Sequence, residues 1–127
     1  MKNVVVVDTD ILIDFLRGKR RAQDFLLSIF EDSIIYCSVI TVAEIYAGMK
    51  PHEREKTTEL INGLNIVDVD REIAEKAGEY KRDEKRQSLE LDDCLIAATA
   101  CVKTAVLATG NGKHYPMSDI NKEVVRL

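Results

Sequence analysis

Three acidic positions stand out because their sequence neighbours are apolar. Asp8 follows the run "VVVV", Glu44 lies within "TVAEIYAGM", and Asp93 belongs to the pair that opens "DDCLIAATACV". A carboxylate removed from water is costly unless it is paired, hydrogen-bonded or metal-bound. If the three meet, their oxygens form a negatively charged pocket that suits Mg²⁺ or Mn²⁺. Such an ion can lower the pKa of a bound water and neutralise charge on a phosphodiester.

Each acid also has a structural interpretation. Asp8 could form an Asx turn or cap the helix that follows it, and Glu44 could lie on an exposed helix flank. We expect Asp10 to cap the first helix, although a role near the metal, outside its direct ligands, stays open. One member of the pair Asp92 and Asp93 should cap its helix, but two adjacent acids exceed what capping requires.

The remaining sequence predicts the elements that position these acids. A continuous apolar run such as "VVVV" is typical of a strand buried on both faces of a parallel sheet, and Gly18 should end the first helix. The predicted strands are 4–7, 33–39, 65–69 and 104–109, with 123–127 as a fifth candidate. The predicted helices are 11–18, 20–30, 41–49, 53–64, 71–85 and 92–102.

This alternation of strands and helices favours an α/β fold with three layers, α/β/α, and a mostly parallel sheet of four or five strands. Ligands of such sheets bind at the carboxyl ends of the strands. Asp8 after the first strand and the "TGN" segment after the fourth strand therefore belong to the same edge. We expect residues 1–127 to form a single domain.

Composition and charge exclude several classes of protein. The chain has 127 residues and a net charge of −4, which argues against a generally basic nucleic-acid coat protein but not against an enzyme. No apolar run approaches the roughly 18 residues of a membrane span, so we expect no membrane contact and a cytoplasmic location. Three cysteines, one necessarily unpaired, should be small buried side chains in a reducing compartment. A zinc site is not expected, because Cys-x-x-Cys is missing and His52 and His114 are isolated.

Four motifs, taken together and in order, resemble the PIN-domain nucleases of the VapC type. They are "VVVVDTDILIDFL", "SVITVAEIYAGM", "LDDCLIAATA" and "TAVLATGNGKHYP". VapC proteins are the toxin halves of prokaryotic toxin–antitoxin pairs, so the resemblance implies an α/β/α endoribonuclease with an acidic, Mg²⁺- or Mn²⁺-dependent site. It assigns the family's first acid to Asp8 and its glutamate to Glu44. Its third acid falls on Asp93, since "DCLIAA" matches Asp-x-Leu-Ile-Ala-Ala.

The fourth position departs from the fully acidic pattern of the family. Asn111 stands where some members carry Asp, and its amide oxygen can ligate a metal but brings no charge. Whether the site holds one metal ion or two therefore stays open. The resemblance further implies that Thr109 orients this loop through its hydroxyl, and that Asp92 caps its helix or supports the ligands. A metal-activated water would attack the RNA and leave a 5′-phosphate and a 3′-hydroxyl, and which acid takes the proton stays open.

The resemblance also implies partners. They are an RNA substrate, a second copy in a homodimer, and a VapB-like antitoxin whose tail places a basic side chain in the acidic pocket. A nuclease needs several phosphate contacts, and the densest positive run, "RGKRR", is the candidate. A second run, "KRDEKR" at 81–86, is expected to be a solvated helix face. The RNA-binding candidates are Arg17, Lys19, Arg20 and Arg21.

Two other classes fit part of the sequence. "VVVVDTD" matches the phosphatases of the haloacid dehalogenase type, with Asp8 as nucleophile and Asp10 as acid/base, but the glycine-containing loop of that class is missing and the chain is short for it. A receiver-like signalling domain would use Asp68 or Asp70 as phosphoacceptor and would leave the later acids without a role. A PIN fold kept only as a binding scaffold would not need all three acids.

Overall fold

The computed structural model describes residues 3–84 and 88–127. Strands and helices alternate along the chain, as the sequence predicts. The strands are β1 (Asn3–Val7), β2 (Ser33–Ser38), β3 (Asn65–Val67), β4 (Val106–Thr109) and β5 (Asn121–Val124). The helices are α1 (Thr9–Leu16), α2 (Arg20–Phe30), α3 (Val39–Ala47), α4 (Arg54–Asn62), α5 (Arg71–Asp83) and α6 (Leu91–Val102), with single 3₁₀ turns at Pro51–Glu53 and Gly112–His114.

The five strands form one parallel sheet in the order β3-β2-β1-β4-β5. The chain moves outward from β1 to β2 and β3, then crosses back to place β4 on the other side of β1. The point between β1 and β4 is therefore the topological switch point, where ligand crevices form in such sheets. Asp8 follows β1 and Thr109 ends β4, so both lie at this crevice.

Alternate side chains of β1 enter two different apolar cores, which explains its uninterrupted valine run. Val5 and Val7 pack with Ile11 and Ile45 on the face covered by α1, α2 and α3. Val6 packs on the opposite face against α6, with Ile96 among its neighbours. Helix α5 lies against α6 on that side. The predicted three-layer α/β/α class is confirmed.

Element boundaries differ from the predictions where a cap or an edge decides them. Helix α3 begins at Val39, two residues early, because the Ser38 side chain accepts a hydrogen bond from the Ile40 N–H at 3.1 Å. Strand β3 ends at Val67, two residues earlier than predicted, and Asp70 caps α5. Strand β5 begins two residues earlier than predicted, at Asn121, and its four residues, two of them charged, are all exposed, as is typical of an edge strand.

All three cysteines are free thiols. Cys37 and Cys94 are buried in the core as predicted, whereas Cys101 is only partly buried. Burial raises the pKa of the Cys37 thiol to about 12, which keeps it protonated and unreactive. Within the described residues, no helix combines the length and apolar character needed to cross a bilayer.

Thr104, between α6 and β4, is the one described non-glycine residue with a positive φ, at 51°. A left-handed conformation costs an L-residue roughly 1–2 kcal/mol. Glycine avoids this cost, but it loses more conformational entropy when the chain folds, which cancels part of the gain in stability. Thr104→Gly should therefore raise the free energy of unfolding by about 0.5–1 kcal/mol, measured by chemical denaturation. Thr104→Val keeps the β-branched strain and should bring no gain; equal stability of both variants would contradict the strain.

Candidate active site

Asp8 occupies the junction of β1 and α1 and is 6% exposed. Its Oδ1 accepts a hydrogen bond from the Thr9 N–H at 2.7 Å, and its Oδ2 accepts one from the Thr109 hydroxyl at 2.7 Å. Asp8 is therefore the N-cap of α1, and it also faces the crevice at the end of the sheet. The expectation that Asp10 caps this helix is wrong. Helix α1 already begins at Thr9, directly after Asp8, so Asp10 lies in its first turn.

Glu44 points from α3 towards the start of α1 rather than along an exposed flank. Its Oε1 accepts a hydrogen bond from the Thr9 hydroxyl at 2.6 Å, and that hydroxyl also lies 3.0 Å from the Thr41 hydroxyl. Burial raises the pKa of the Glu44 carboxyl, and the negative charges of Asp92, Asp8 and Asp93 act in the same direction, whereas the Thr9 hydrogen bond opposes them. The ionised form of Glu44 is thus disfavoured in the metal-free protein.

Asp93 reaches the crevice from the first turn of α6, with 18% of its side chain exposed. Its Oδ1 lies 3.4 Å from the Tyr115 hydroxyl and its Oδ2 lies 3.5 Å from His114 Nδ1. Burial raises the pKa of Asp93; His114 and Tyr115 oppose the rise, and Asp8 adds to it. The position of Asp93 therefore brings a third carboxylate to the same edge of the sheet.

Neither acid of the pair at the start of α6 caps that helix, contrary to expectation. The helix begins at Leu91, so its N-cap is Glu90, which makes no side-chain cap hydrogen bond. Asp92 and Asp93 lie in the first turn, where negative charge favours the helix dipole. Asp92 is exposed, and its contribution to the crevice is the negative charge that Glu44 and Asp93 experience.

The loop after β4 is tied to Asp8 by Thr109. This buried hydroxyl donates to Asp8 and accepts a hydrogen bond from the Asn111 N–H at 3.0 Å. The Asn111 side chain is exposed and contacts no carboxylate among the described residues; its Nδ2 lies 3.0 Å from His114 Nε2. Thr109 thus orients the loop, while Asn111 lies at the rim of the crevice.

Asp10 fastens the same loop to α1. Its Oδ2 accepts a hydrogen bond from the Gly110 N–H at 3.0 Å, while its Oδ1 is buried and has no hydrogen-bond partner within the described residues. A side chain at position 110 would have to displace the end of the Leu127 side chain and would also press against Asp10 Oδ2, so glycine suits this position. Burial raises the pKa of Asp10, and the Asp8 charge adds to the rise.

Three residues that the sequence did not single out complete the site. Thr9 joins Glu44 to α1, and Tyr115 is fully buried with its hydroxyl directed at Asp93 and Asp8. Burial and both carboxylates raise the pKa of Tyr115, so the hydroxyl keeps its proton and acts as a donor. The third is His114. The position of Thr9 between Asp8 and Asp10 was the only feature of the sequence that could have indicated its role in the site.

The donor chemistry of the crevice fits a hard divalent cation. Asp8, Glu44 and Asp93 supply only carboxylate oxygens, and each of the three is coupled electrostatically to another acid of the group. As they are placed, no three His, Cys, Asp or Glu side chains among residues 3–84 and 88–127 are close enough together to hold a metal ion. The carboxylates would therefore have to draw together around an ion, and the ion would relieve their repulsion.

The basic run follows α1 and is fully open to solvent. Its four cations are exposed, and Arg20 makes an exposed i,i+4 ion pair with Asp24 at 3.9 Å. A cleft of about 650 Å³ adjoins the run and includes Arg17 and Lys56 in its lining, but it lies apart from the acidic crevice. In the second run, Lys81 and Arg82 are exposed on α5, as expected, and residues 85–86 lie outside the described residues.

The two alternative classes are not favoured by the geometry. A phosphatase would need Asp10 open to the substrate for proton transfer, but its Oδ2 accepts from the Gly110 N–H and its Oδ1 is buried. A receiver domain would use Asp68 or Asp70 as phosphoacceptor. The Asp70 Oδ1 caps α5 by accepting a hydrogen bond from the Ile73 N–H at 2.9 Å, and Asp68 is exposed after β3. Either choice leaves Glu44 and Asp93 without a role. The fold and the crevice instead define an α/β/α domain with a carboxylate site at its switch point.

Comparison with known proteins places the chain in a family. The PIN domain model matches residues 5–119. Ribonuclease VapC10 of Mycobacterium tuberculosis is 38% identical over 116 residues, covering 90% of this chain and 87% of that protein. Ribonuclease VapC1 of Methanocaldococcus jannaschii is 32% identical over 114 residues, covering 87% and 78%. This chain therefore belongs to the PIN-domain family, and the resemblance found in its sequence is confirmed.

Solved structures agree with this assignment. A toxin–antitoxin complex from Klebsiella pneumoniae contains a chain that is 29% identical, with a TM-score of 0.78 and coverage of 91% of this chain and 94% of that one. The structure of VapBC2 from Rickettsia felis bound to a promoter DNA fragment has a TM-score of 0.81 at 20% identity, covering 96% and 98%. The second likeness supports the fold alone.

The raised pKa of Glu44 predicts that removing its charge stabilises the folded protein, and that this stabilisation depends on pH. Because the folded protein binds this proton more readily than the unfolded chain, the metal-free protein should gain stability as the pH falls from neutral through the raised pKa. Glu44→Gln keeps the acceptor for Thr9 and removes the charge. In EDTA at pH 7 it should raise Tm by a few degrees, and the difference should shrink towards pH 4, followed by circular dichroism.

Glu59→Gln is the matched control, because Glu59 is an exposed residue within a helix. Its Tm should equal that of the wild type at both pH values. A Glu44→Gln protein less stable than the wild type at pH 7 would contradict the assignment of Glu44 to a repulsive carboxylate cluster.

Proposed function

We propose that this protein is a metal-dependent endoribonuclease and the toxin of a VapBC-like toxin–antitoxin pair, acting in the cytoplasm with residues 1–127 as one nuclease domain. The observation that carries the proposal is the convergence of Asp8, Glu44 and Asp93 at the sheet's switch point, where each acid is coupled to another. Support comes from relatives named as VapC ribonucleases, which match most of this chain.

Asp8, Glu44 and Asp93 would hold the cation, with the Asn111 amide oxygen as a weaker ligand. Mg²⁺ or Mn²⁺, when bound, supplies a polarised water and neutralises charge on the phosphodiester. Asp8 is fixed by Thr9 and Thr109, and each of its oxygens keeps a further lone pair for a ligand. The fixed geometry limits the rearrangement needed when the ion and the RNA bind.

Proton transfer falls to the chain's own carboxylates. Burial raises the pKa of both Glu44 and Asp93, which makes each a stronger base than an exposed acid. We assign to one of them the proton of the attacking water. The Tyr115 hydroxyl keeps its proton, so it holds Asp93 as a donor and does not compete for that role. The products would carry a 5′-phosphate and a 3′-hydroxyl.

The partners follow from the same charges. A crevice of carboxylates attracts a basic side chain, which is what a VapB-like antitoxin would insert to silence the enzyme. Several of the structurally similar proteins were solved as toxin–antitoxin complexes, which supports such a partner here and is compatible with a homodimer. The exposed run of Arg17, Lys19, Arg20 and Arg21 would contact RNA phosphates.

Substitution of the acids tests the catalytic assignment. Asp8→Asn and Asp93→Asn should lower the rate of RNA cleavage at least about a hundredfold, because each removes charge that the cation requires. Both variants should keep the wild-type circular dichroism spectrum, and EDTA should silence the wild type. Asp68→Asn, at an exposed acid outside the crevice, is the matched control and should cleave normally. Full cleavage by both crevice variants would rule out the metal site.

Asp10→Asn separates the nuclease from the phosphatase alternative. Asparagine at this position still accepts the Gly110 N–H, so the loop should stay in place and RNA cleavage should persist. A phosphatase that uses Asp10 as acid/base would lose activity. Hydrolysis of p-nitrophenyl phosphate by the wild type, with no cleavage of RNA, would favour the phosphatase.

The basic run is tested by the salt dependence of RNA binding. The double variant Arg17→Gln, Arg21→Gln should weaken the binding of single-stranded RNA. It should also reduce the slope of log affinity against log salt by about 0.7 for each phosphate that the protein no longer neutralises. Fluorescence anisotropy in EDTA measures binding without cleavage. Arg71→Gln is the control, because Arg71 is exposed on α5 and pairs with Glu75. An unchanged slope in the double variant would exclude the run from the RNA interface.

A further inference from the structure

His114 contacts two residues of the proposed metal site. Its Nε2 lies 3.0 Å from Asn111 Nδ2, and its Nδ1 lies 3.5 Å from Asp93 Oδ2. The ring belongs to the 3₁₀ turn Gly112–His114, and 53% of its side chain is exposed. It therefore reaches the crevice from the rim without being part of the core.

The chemistry of the two contacts fixes the position of the ring proton. In this orientation of the Asn111 amide, Nδ2 faces the ring; it carries two hydrogens and cannot accept, so the Nε2 atom of His114 is the acceptor. A neutral imidazole then carries its hydrogen on Nδ1, which faces the Asp93 carboxylate. The same contact occupies one N–H of the Asn111 amide and leaves the amide oxygen for another partner.

These contacts complete a chain of polar interactions that connects Asp8 to Asp93. Thr109 donates to Asp8 and accepts from the Asn111 backbone N–H. The Asn111 side chain continues the path to His114, which meets Asp93. Without His114, Asn111 would keep its backbone contact, but its side chain would have no described hydrogen-bond partner.

We propose that His114 is a positioning residue of the metal site: as the Nδ1–H tautomer it orients the Asn111 amide and the Asp93 carboxylate for a divalent cation. This inference rests on the proposed function, since it assigns His114 a part in the same site. Outer partners of ligands of this kind typically change metal affinity by about 10–100-fold when removed. If the imidazole only covered surface, its removal would change neither the metal affinity nor the orientation of Asn111 and Asp93.

The first readout is the tautomer, which needs neither metal nor RNA. Long-range ¹H–¹⁵N NMR of ¹⁵N-labelled protein at pH 8 distinguishes a protonated Nδ1 from a protonated Nε2. The chain has two histidines, so the His52→Ala variant assigns the remaining imidazole signals to His114. The Nδ1–H form is expected. The Nε2–H form for His114 would overturn the proposal, because that nitrogen could then not accept from Asn111.

The second readout is the affinity for Mn²⁺ by isothermal titration calorimetry. His114→Ala should bind Mn²⁺ about tenfold more weakly or worse, with an unchanged circular dichroism spectrum. His114→Gln offers an acceptor to Asn111 and a donor to Asp93, and should recover the affinity to within about threefold of the wild type. His52→Ala is the matched control and should bind as the wild type does.

Wild-type Mn²⁺ affinity in His114→Ala would overturn the positioning role, as would a glutamine variant no better than alanine. Failure of the proposed function gives a different result: the wild type would bind no Mn²⁺ or would leave RNA intact. In that case the tautomer still decides whether His114 bridges Asn111 and Asp93.

Discussion

Mutual repulsion among the carboxylates at one end of the sheet is the constraint on which the local structure depends. The charges of Asp8 and Asp93 add to burial in raising the pKa of Glu44, and the charge of Asp8 adds to burial in raising the pKa of Asp93. Hydrogen-bond donors oppose that repulsion at fixed positions. The Thr9 N–H holds Asp8 and the Thr9 hydroxyl holds Glu44, while Tyr115 reaches Asp93 from the core. The carboxylates are thus held together at some expense in the stability of the folded protein.

The sheet order explains why these acids can meet at all. They come from the end of β1, from α3 and from α6, which are far apart in sequence. Because all five strands are parallel, the chain leaves each strand at the same edge of the sheet, and the reversal of order between β1 and β4 opens a crevice there. The buried valines of β1 pack into the cores on both faces of the sheet. This packing fixes the end of β1 and therefore the position of Asp8.

The sequence predicted the fold class and selected the three acids because both depend on strong local patterns: a valine run, alternating elements and acids with apolar neighbours. It failed where the exact first residue of a helix decides the outcome. Asp8 rather than Asp10 caps α1, and Glu90 rather than Asp92 or Asp93 begins α6. The contacts of Thr9, Tyr115 and His114 depend on tertiary packing, for which the sequence carries no periodic signal. Asp10 became intelligible only from the loop it contacts.

The most direct test of the proposed carboxylate site is a crystal structure of the protein soaked in Mn²⁺, with anomalous diffraction data collected at the manganese edge. We expect an anomalous peak bounded by oxygens of Asp8, Glu44 and Asp93, at distances typical of metal–carboxylate coordination, with these side chains closer together than in the metal-free protein. No peak in the crevice at saturating Mn²⁺, or a peak held elsewhere on the molecule, would contradict the site.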